Sequence, residues 1–281
     1  MDATPKIASP ASDSRWWGAI TLDEAAVLQR QIGPLRLVLW RSAGDLRIDV
    51  QQGATTDVQA AAGGTPREAP MPVPMDDAEA ALEGVTRYRF AFRPSLVEAL
   101  RLVPALADRP LVSRPAIPLR IPPGEAVDFF VSNPLWIRLG NEQLGNLLDE
   151  PILRPSETWF GPSRILGELC YSATTVPRLH LENISVPAQR AVTPVRVVNR
   201  AAEVLVLERI KVPVPHLELF EDADGTLWTS SVELRRAESW GTEATGEVHF
   251  SAHPQAARRV AAARVQPEGP RLVRALSSLF E

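Results

Sequence analysis

Arg114-Pro-Ala-Ile-Pro-Leu-Arg-Ile-Pro-Pro-Gly-Glu-Ala-Val-Asp-Phe-Phe-Val-Ser-Asn-Pro-Leu-Trp-Ile-Arg-Leu139 holds three short apolar runs. Pro122-Pro123-Gly124 and Asn133-Pro134 separate them. Both are chain-turning signals, because proline fixes φ and glycine opens the positive-φ region. Short strands at this spacing, with stiff connections, are the pattern of a sandwich or a partly open barrel. The rest of the chain carries the same signal. It has 26 prolines in 281 residues, spread along its length, against a usual share of about 5%. Proline lacks a backbone donor and breaks helices, so many short strands are expected.

Downstream, 166–173 and 178–184 read as strands on either side of a Thr-Thr-Val-Pro corner. Residues 194–199 and 203–212 read as another pair, separated by Arg200-Ala201-Ala202. The stretch 216–232 reads as a hairpin turning at Ala223-Asp224-Gly225. Upstream, Leu35 to Trp40, the turn residues Ser42 to Asp45, and the alternating Leu46, Ile48 and Val50 predict a further hairpin. Strand alternation resumes over 87–93 with Tyr88, Phe90 and Phe92. Two short helices are expected as well. One follows Trp16-Trp17 and is capped by Thr21 or Asp23. The other covers 95–106, where Leu96, Val97, Leu100 and Val103 stand three or four apart.

The resulting expectation is an all-β protein of two β-sandwich-like halves, with short helices and a helical C-terminal tail. Residues 1–14 read as a disordered N-terminus and 15–145 as a first β-rich domain. That domain carries a flexible insertion over 51–84, rich in Ala, Gly, Pro and acidic residues. Residues 146–253 read as a second sandwich-like domain, joined to the first near 140–155, and 254–281 as the tail.

The formal net charge of −4 gives no electrostatic reason to expect a nucleic acid or an anionic membrane. One cysteine excludes an internal disulfide framework and a multi-cysteine zinc site. The first twenty residues lack a signal-peptide layout and no apolar run reaches membrane-spanning length. A cytoplasmic location without direct membrane insertion is therefore expected. Glycine-rich phosphate cradles and the G-x-S-x-G elbow are missing, so no cofactor is implied.

Unusual residue types crowd into 156–182, which holds the only cysteine, one of the two tyrosines and one of the four histidines. Cys170 and His180 present themselves as a nucleophile and base. The competing reading is an inert core thiol, since Cys170 lies in the apolar run Leu169-Cys-Tyr171. Glu157, Trp159, Glu168, Tyr171 and His180 are the candidate lining of a small-ligand or hydrolytic site.

A metal would recruit Glu168, His180, His216, His249 and His253. The strand-like alternation of Glu247-Val-His-Phe spoils the helical alignment that His249 and His253 would need. Asp222-Ala-Asp-Gly225 resembles the start of a calcium loop but is explained more simply as a hairpin turn. Trp136, Trp159, Trp228 and Trp240 stand at strand ends, where they either seal the core or stack a ligand. In the locally basic tail, Arg258, Arg271, Leu272, Leu276 and Phe280 suit either a docked terminal helix or an amphipathic recognition helix for a partner protein.

The run Thr158-Trp-Phe-Gly-Pro-Ser-Arg-Ile-Leu-Gly-Glu-Leu-Cys-Tyr171, with Pro115 to Pro123 and Pro134 to Arg138, resembles an uncharacterised prokaryotic family, domain of unknown function 432. The likeness spans 85–250. It implies a β-rich fold and supplies no catalytic residues. The placement of such genes beside small-conductance mechanosensitive channels implies a regulatory role, with a membrane channel as partner. The leading expectation is a non-enzymatic protein-binding or regulatory module, and the alternative is a small-ligand-binding protein or hydrolytic enzyme.

Overall fold

The computed structural model describes residues 15–23, 27–42, 44–53, 84–91, 100–161, 165, 167–173, 175–184, 186–236, 246–252, 258–266 and 272–273. The first strands are β1 (Gly18–Ile20), β2 (Val27–Ile32), β3 (Leu35–Arg41), β4 (Asp45–Gln52), β5 (Val85–Ala91), β6 (Leu100–Ala105) and β7 (Leu111–Ser113). Next come β8 (Leu119–Ile121), β9 (Ala126–Pro134), β10 (Trp136–Asn141), β11 (Gly145–Pro151), β12 (Glu157–Phe160), β13 (Glu168–Ser172) and β14 (Arg190–Asn199). The last are β15 (Leu205–Leu207), β16 (Ile210–Val212), β17 (Leu219–Glu221), β18 (Leu227–Thr229), β19 (Ser231–Arg236), β20 (Gly246–Ser251), β21 (Arg258–Ala261) and β22 (Leu272–Val273). Two single 3-10 turns, Leu181–Asn183 and Val214–His216, are the helical elements among the described residues.

The protein is all-β. An antiparallel meander runs β2-β3-β4-β5, and a second antiparallel sheet runs β1-β6-β10-β11. A mixed sheet has the order β12-β13-β7-β16, and β8 and β15 form a ribbon. The largest sheet runs β21-β17-β18-β14-β19-β20-β22, with β9 on the other edge of β14. One hydrophobic cluster, running in sequence from Trp16 to Val248, joins residues of these sheets. Residues 140–155 fall in the β10–β11 hairpin and the segment that follows it.

Strand β14 is central and yet contains Pro194, which has no N–H for a ladder. Its partner strand yields at that point. Val192 lies opposite Trp228 and Val195 opposite Val232. Two residues of β14 thus face three on the neighbour, a bulge that separates β18 from β19. Ser230, in the gap, turns its N–H to the Glu218 carbonyl at 3.0 Å, and its Oγ accepts from the Glu218 N–H. On the opposite edge Pro194 faces Phe130. The N–H and C=O of Phe130 are turned away from Pro194, toward Arg178.

A buried polar chain crosses the same sheet. The Asn133 amide donates to Thr193 Oγ1, which lies 2.7 Å from Thr229 Oγ1, and Thr229 donates to the Ser230 carbonyl at 2.8 Å. With Thr229 committed as a donor to Ser230, Thr193 is the donor to Thr229. Asn199 closes the far end of β14 by donating to the Ile121 and Glu203 carbonyls.

Several expectations hold. The β3–β4 and β17–β18 hairpins form, and the three runs within 114–139 become β8, β9 and β10. Asp222 shapes the second hairpin as a turn residue, its carboxylate accepting from the Asp224 and Thr226 N–H groups and from Trp228 Nε1.

Others are corrected. The regular elements among the described residues of the tail are strands, not helices. Arg258 to Ala261 adds to the edge of β17 and Leu272–Val273 to that of β20. The open edge of β17 and the buried Glu221, which takes Arg258, outweigh the helix propensity of the alanines and arginines. Leu276 and Phe280 lie outside the described residues. Of the helix expected over 95–106, residues 100–105 form strand β6, with Pro104 inside it. Proline would have broken that helix. Thr21 and Asp23 cap no helix among the described residues, and β2 begins at Val27. The run 203–212 is divided, because β15 pairs with β8 and β16 with β7. The chain must kink at Glu208–Arg209 to reach both. Of 178–184, Arg178 alone bridges Phe130 before the 3-10 turn.

Thr193→Val keeps the shape of the side chain and removes the hydroxyl that both accepts from Asn133 and donates to Thr229. Urea unfolding is expected to show a loss of about 1–3 kcal/mol with an unchanged m-value. Wild-type stability in this variant would contradict the role given to the chain.

Candidate functional site

The β12–β13 pair sets the geometry of the residues singled out in the sequence. Glu157 lies opposite Tyr171, Thr158 opposite Cys170, Trp159 opposite Leu169 and Phe160 opposite Glu168. Because side chains alternate along a strand, Glu157, Trp159, Leu169 and Tyr171 share one face. Thr158, Phe160, Glu168 and Cys170 share the other.

Glu157 and Tyr171 open onto a cleft of about 650 Å³ between this hairpin and β10–β11. Trp136 and Tyr171 make an aromatic wall there, their rings 5.5 Å apart and tilted by 39°. The Arg109 guanidinium lies 5.4 Å from the Tyr171 ring centre and donates to Glu157 at 2.6 Å. Each carboxylate of the cleft already has a donor. Arg264 grips Asp149 through two hydrogen bonds of 2.6 and 2.7 Å, Tyr171 donates to Asp108 at 3.0 Å, and Tyr88 donates to Glu150 at 2.6 Å. The bond to Glu150, followed by burial, pushes the Tyr88 hydroxyl up to about 12. Burial alone would raise the Asp149 carboxyl, but the Arg264 and Arg138 guanidinium groups outweigh it and hold it below its ordinary value. Among the described residues Arg154 is the cleft arginine without a hydrogen-bonded carboxylate.

His180 lies elsewhere, on a groove of about 350 Å³ lined by Ile117, Leu119, Phe129, Val176, Leu179 and Leu207 among others. Its outer wall is the segment 175–180, held at two points. Arg178 exchanges both backbone hydrogen bonds with Phe130, at 2.8 and 3.0 Å. Thr175 Oγ1 donates to the Ser132 carbonyl at 3.1 Å. Arg190 supports that second point from within the core, donating to Ser132 Oγ at 2.7 Å and to Thr175 Oγ1 at 3.3 Å. This guanidinium is 4% exposed and all its hydrogen bonds go to neutral oxygens. Burial lowers its pKa to about 10, so it stays charged near neutral pH. At the rim, Ile117 is 77% exposed and Leu179 48%.

The five ligand candidates therefore separate into Glu157 and Tyr171 in the cleft, His180 on the groove, and Trp159 and Glu168 in neither. Glu168 pairs with Lys211, and Trp159 lies against the backbone of Gly167, where a Cβ would meet its ring at 2.5 Å. Cys170 is fully buried with Val112 and Phe160. Burial, then the charge of Glu168, pushes its thiol up to about 12. His249 stands in β20 opposite Glu233, and His253 lies outside the described residues. Among the described residues no three His, Cys, Asp or Glu side chains gather to hold a metal. Trp136 and Trp228 are core residues, Trp228 donating from Nε1 to Asp222, and Trp240 lies outside the described residues. Of the tail residues, Arg258 is ion-paired with Glu221, Leu272 is in β22 opposite Glu247, and Arg271 lies outside the described residues. The sequence reading missed the cleft arginines and the groove rim. Their one visible sign was an isoleucine set between Pro115 and Pro118.

At about pH 8, where an ordinary thiol is partly ionised, native protein is expected to leave Cys170 unmodified by dithiobis-nitrobenzoate. Protein unfolded in guanidinium should release one equivalent of chromophore. Rapid reaction in the folded state would contradict a sealed, un-ionised thiol.

No curated protein matches the chain, and no solved structure matches it. A family model does match, over residues 16–278, and its description is "Protein of unknown function (DUF432)". The chain belongs to the DUF432 family.

Proposed function

We propose that this protein is a non-enzymatic binding module whose docking surface is the groove between the β8–β15 ribbon and the segment 175–180. The observation that carries this reading is the exposure of Ile117, Val176 and Leu179 around a concave apolar site. Large apolar side chains held at the mouth of a groove favour burial against a partner. A rigid rim reduces the ordering cost of that association. The hydrolytic alternative asks Glu157, Trp159, Glu168, Tyr171 and His180 to converge, and only Glu157 and Tyr171 share a cavity. Arg109 neutralises Glu157, and Tyr171 spends its hydroxyl proton on Asp108, so neither is left as a poised acid or base. The role is regulatory and cytoplasmic in this proposal, and a membrane channel is the partner that the family resemblance suggests.

The test is a pull-down from membrane and soluble fractions of the native host with wild type, Leu179→Asp and Ile165→Asp. Ile165 is 90% exposed and lies outside the groove, so its variant controls for added surface charge. A partner held by wild type and Ile165→Asp and lost from Leu179→Asp is the expected result. A partner retained by Leu179→Asp would move the interface away from the groove.

A further inference from the structure

We infer that the groove takes an acidic segment of a partner protein, with apolar side chains seated between carboxylates. The inference rests on the groove being the docking surface and adds the chemistry of what docks. The lining carries ionisable groups of one kind: Arg178 and His180 stand among its apolar residues, and no carboxylate does.

Position also matters. The backbone of Arg178 is fixed by its two hydrogen bonds to Phe130, so its exposed guanidinium starts from an anchored stem beside Leu179. In a chain of formal net charge −4, a groove whose ionisable lining residues are Arg178 and His180, with no carboxylate, departs locally from the overall sign. Charge at a rim steers association and selects partners more than it adds affinity. The apolar lining supplies the contact area, and Arg178 selects what approaches.

The experiment selects peptides about ten residues long from a randomised library on the full-length protein. Selected peptides are then measured by fluorescence anisotropy against wild type, Leu179→Asp, Arg178→Lys and Arg178→Glu. Expected are peptides with Asp or Glu beside Leu, Ile or Phe, bound about tenfold more weakly by Arg178→Glu, nearly normally by Arg178→Lys, and more weakly in high salt. Peptides that lack carboxylates, lose binding on Leu179→Asp and ignore Arg178→Glu would overturn the acidic chemistry and leave the docking groove standing. Failure to select any peptide sensitive to Leu179→Asp would overturn the docking groove itself. A third result, tight phosphatidylglycerol-vesicle binding with the same variant sensitivity and no peptide binding, would replace the protein segment by a lipid surface and overturn the proposal.

Discussion

A proline in the middle of a doubly paired strand constrains the whole sheet. Pro194 offers no donor to β18–β19, and the neighbouring strand bulges at Ser230 to avoid an unmet hydrogen bond. That bulge sends Ser230 to Glu218, ahead of β17. The placement of β17 has consequences at both ends of the chain. Its Glu221 is buried and takes Arg15 from the N-terminal side and Arg258 from β21. The Asn133 amide N–H and the hydroxyls of Thr193 and Thr229 form a hydrogen-bonded chain across the three strands at the same level. Buried polar groups of this kind are costly if unpaired and restrictive if paired, so they fix register more sharply than apolar contacts would.

The opposite edge of β14 leads to the groove. Strand β9 pairs with β14 over nine residue pairs, from Arg190↔Pro134 to Val198↔Ala126. Its other edge is engaged by Arg178 at Phe130 and by Thr175 and Arg190 at Ser132. A buried guanidinium paired only with neutral oxygens is expensive to desolvate. Arg190 satisfies oxygens of β9 and of the segment 175–180 together, and that segment carries Val176, Leu179 and His180 along the groove. Core chemistry thereby positions the residues that the proposal assigns to a partner.

The sequence made the fold class legible wherever punctuation and alternation agreed. The β3–β4 and β17–β18 hairpins each had turn residues between alternating runs, and β8 to β10 had prolines between theirs. Reading failed where local propensity opposed a long-range partner. Alanine and arginine at 258–261 favour a helix until the edge of β17 and Glu221 are present. The run 203–212 looked like one strand, and nothing local signals that β7 and β8 lie at different places. Within the candidate site, part of the miss was avoidable. Glu168 and Tyr171 stand three positions apart on one strand, so they had to face opposite ways. The exposure of Ile117 and Leu179, in contrast, is a property of tertiary packing and leaves no trace in composition.

The most direct measurement places a photo-cross-linking amino acid at position 179 of the full-length protein in its native host, with position 165 as the reference. Irradiation is predicted to join position 179, and not 165, to one partner protein through a segment bearing carboxylates beside apolar residues. Cross-links from 165 and 179 in equal yield, or none from 179 to any other protein, would contradict the account of the groove as the docking surface.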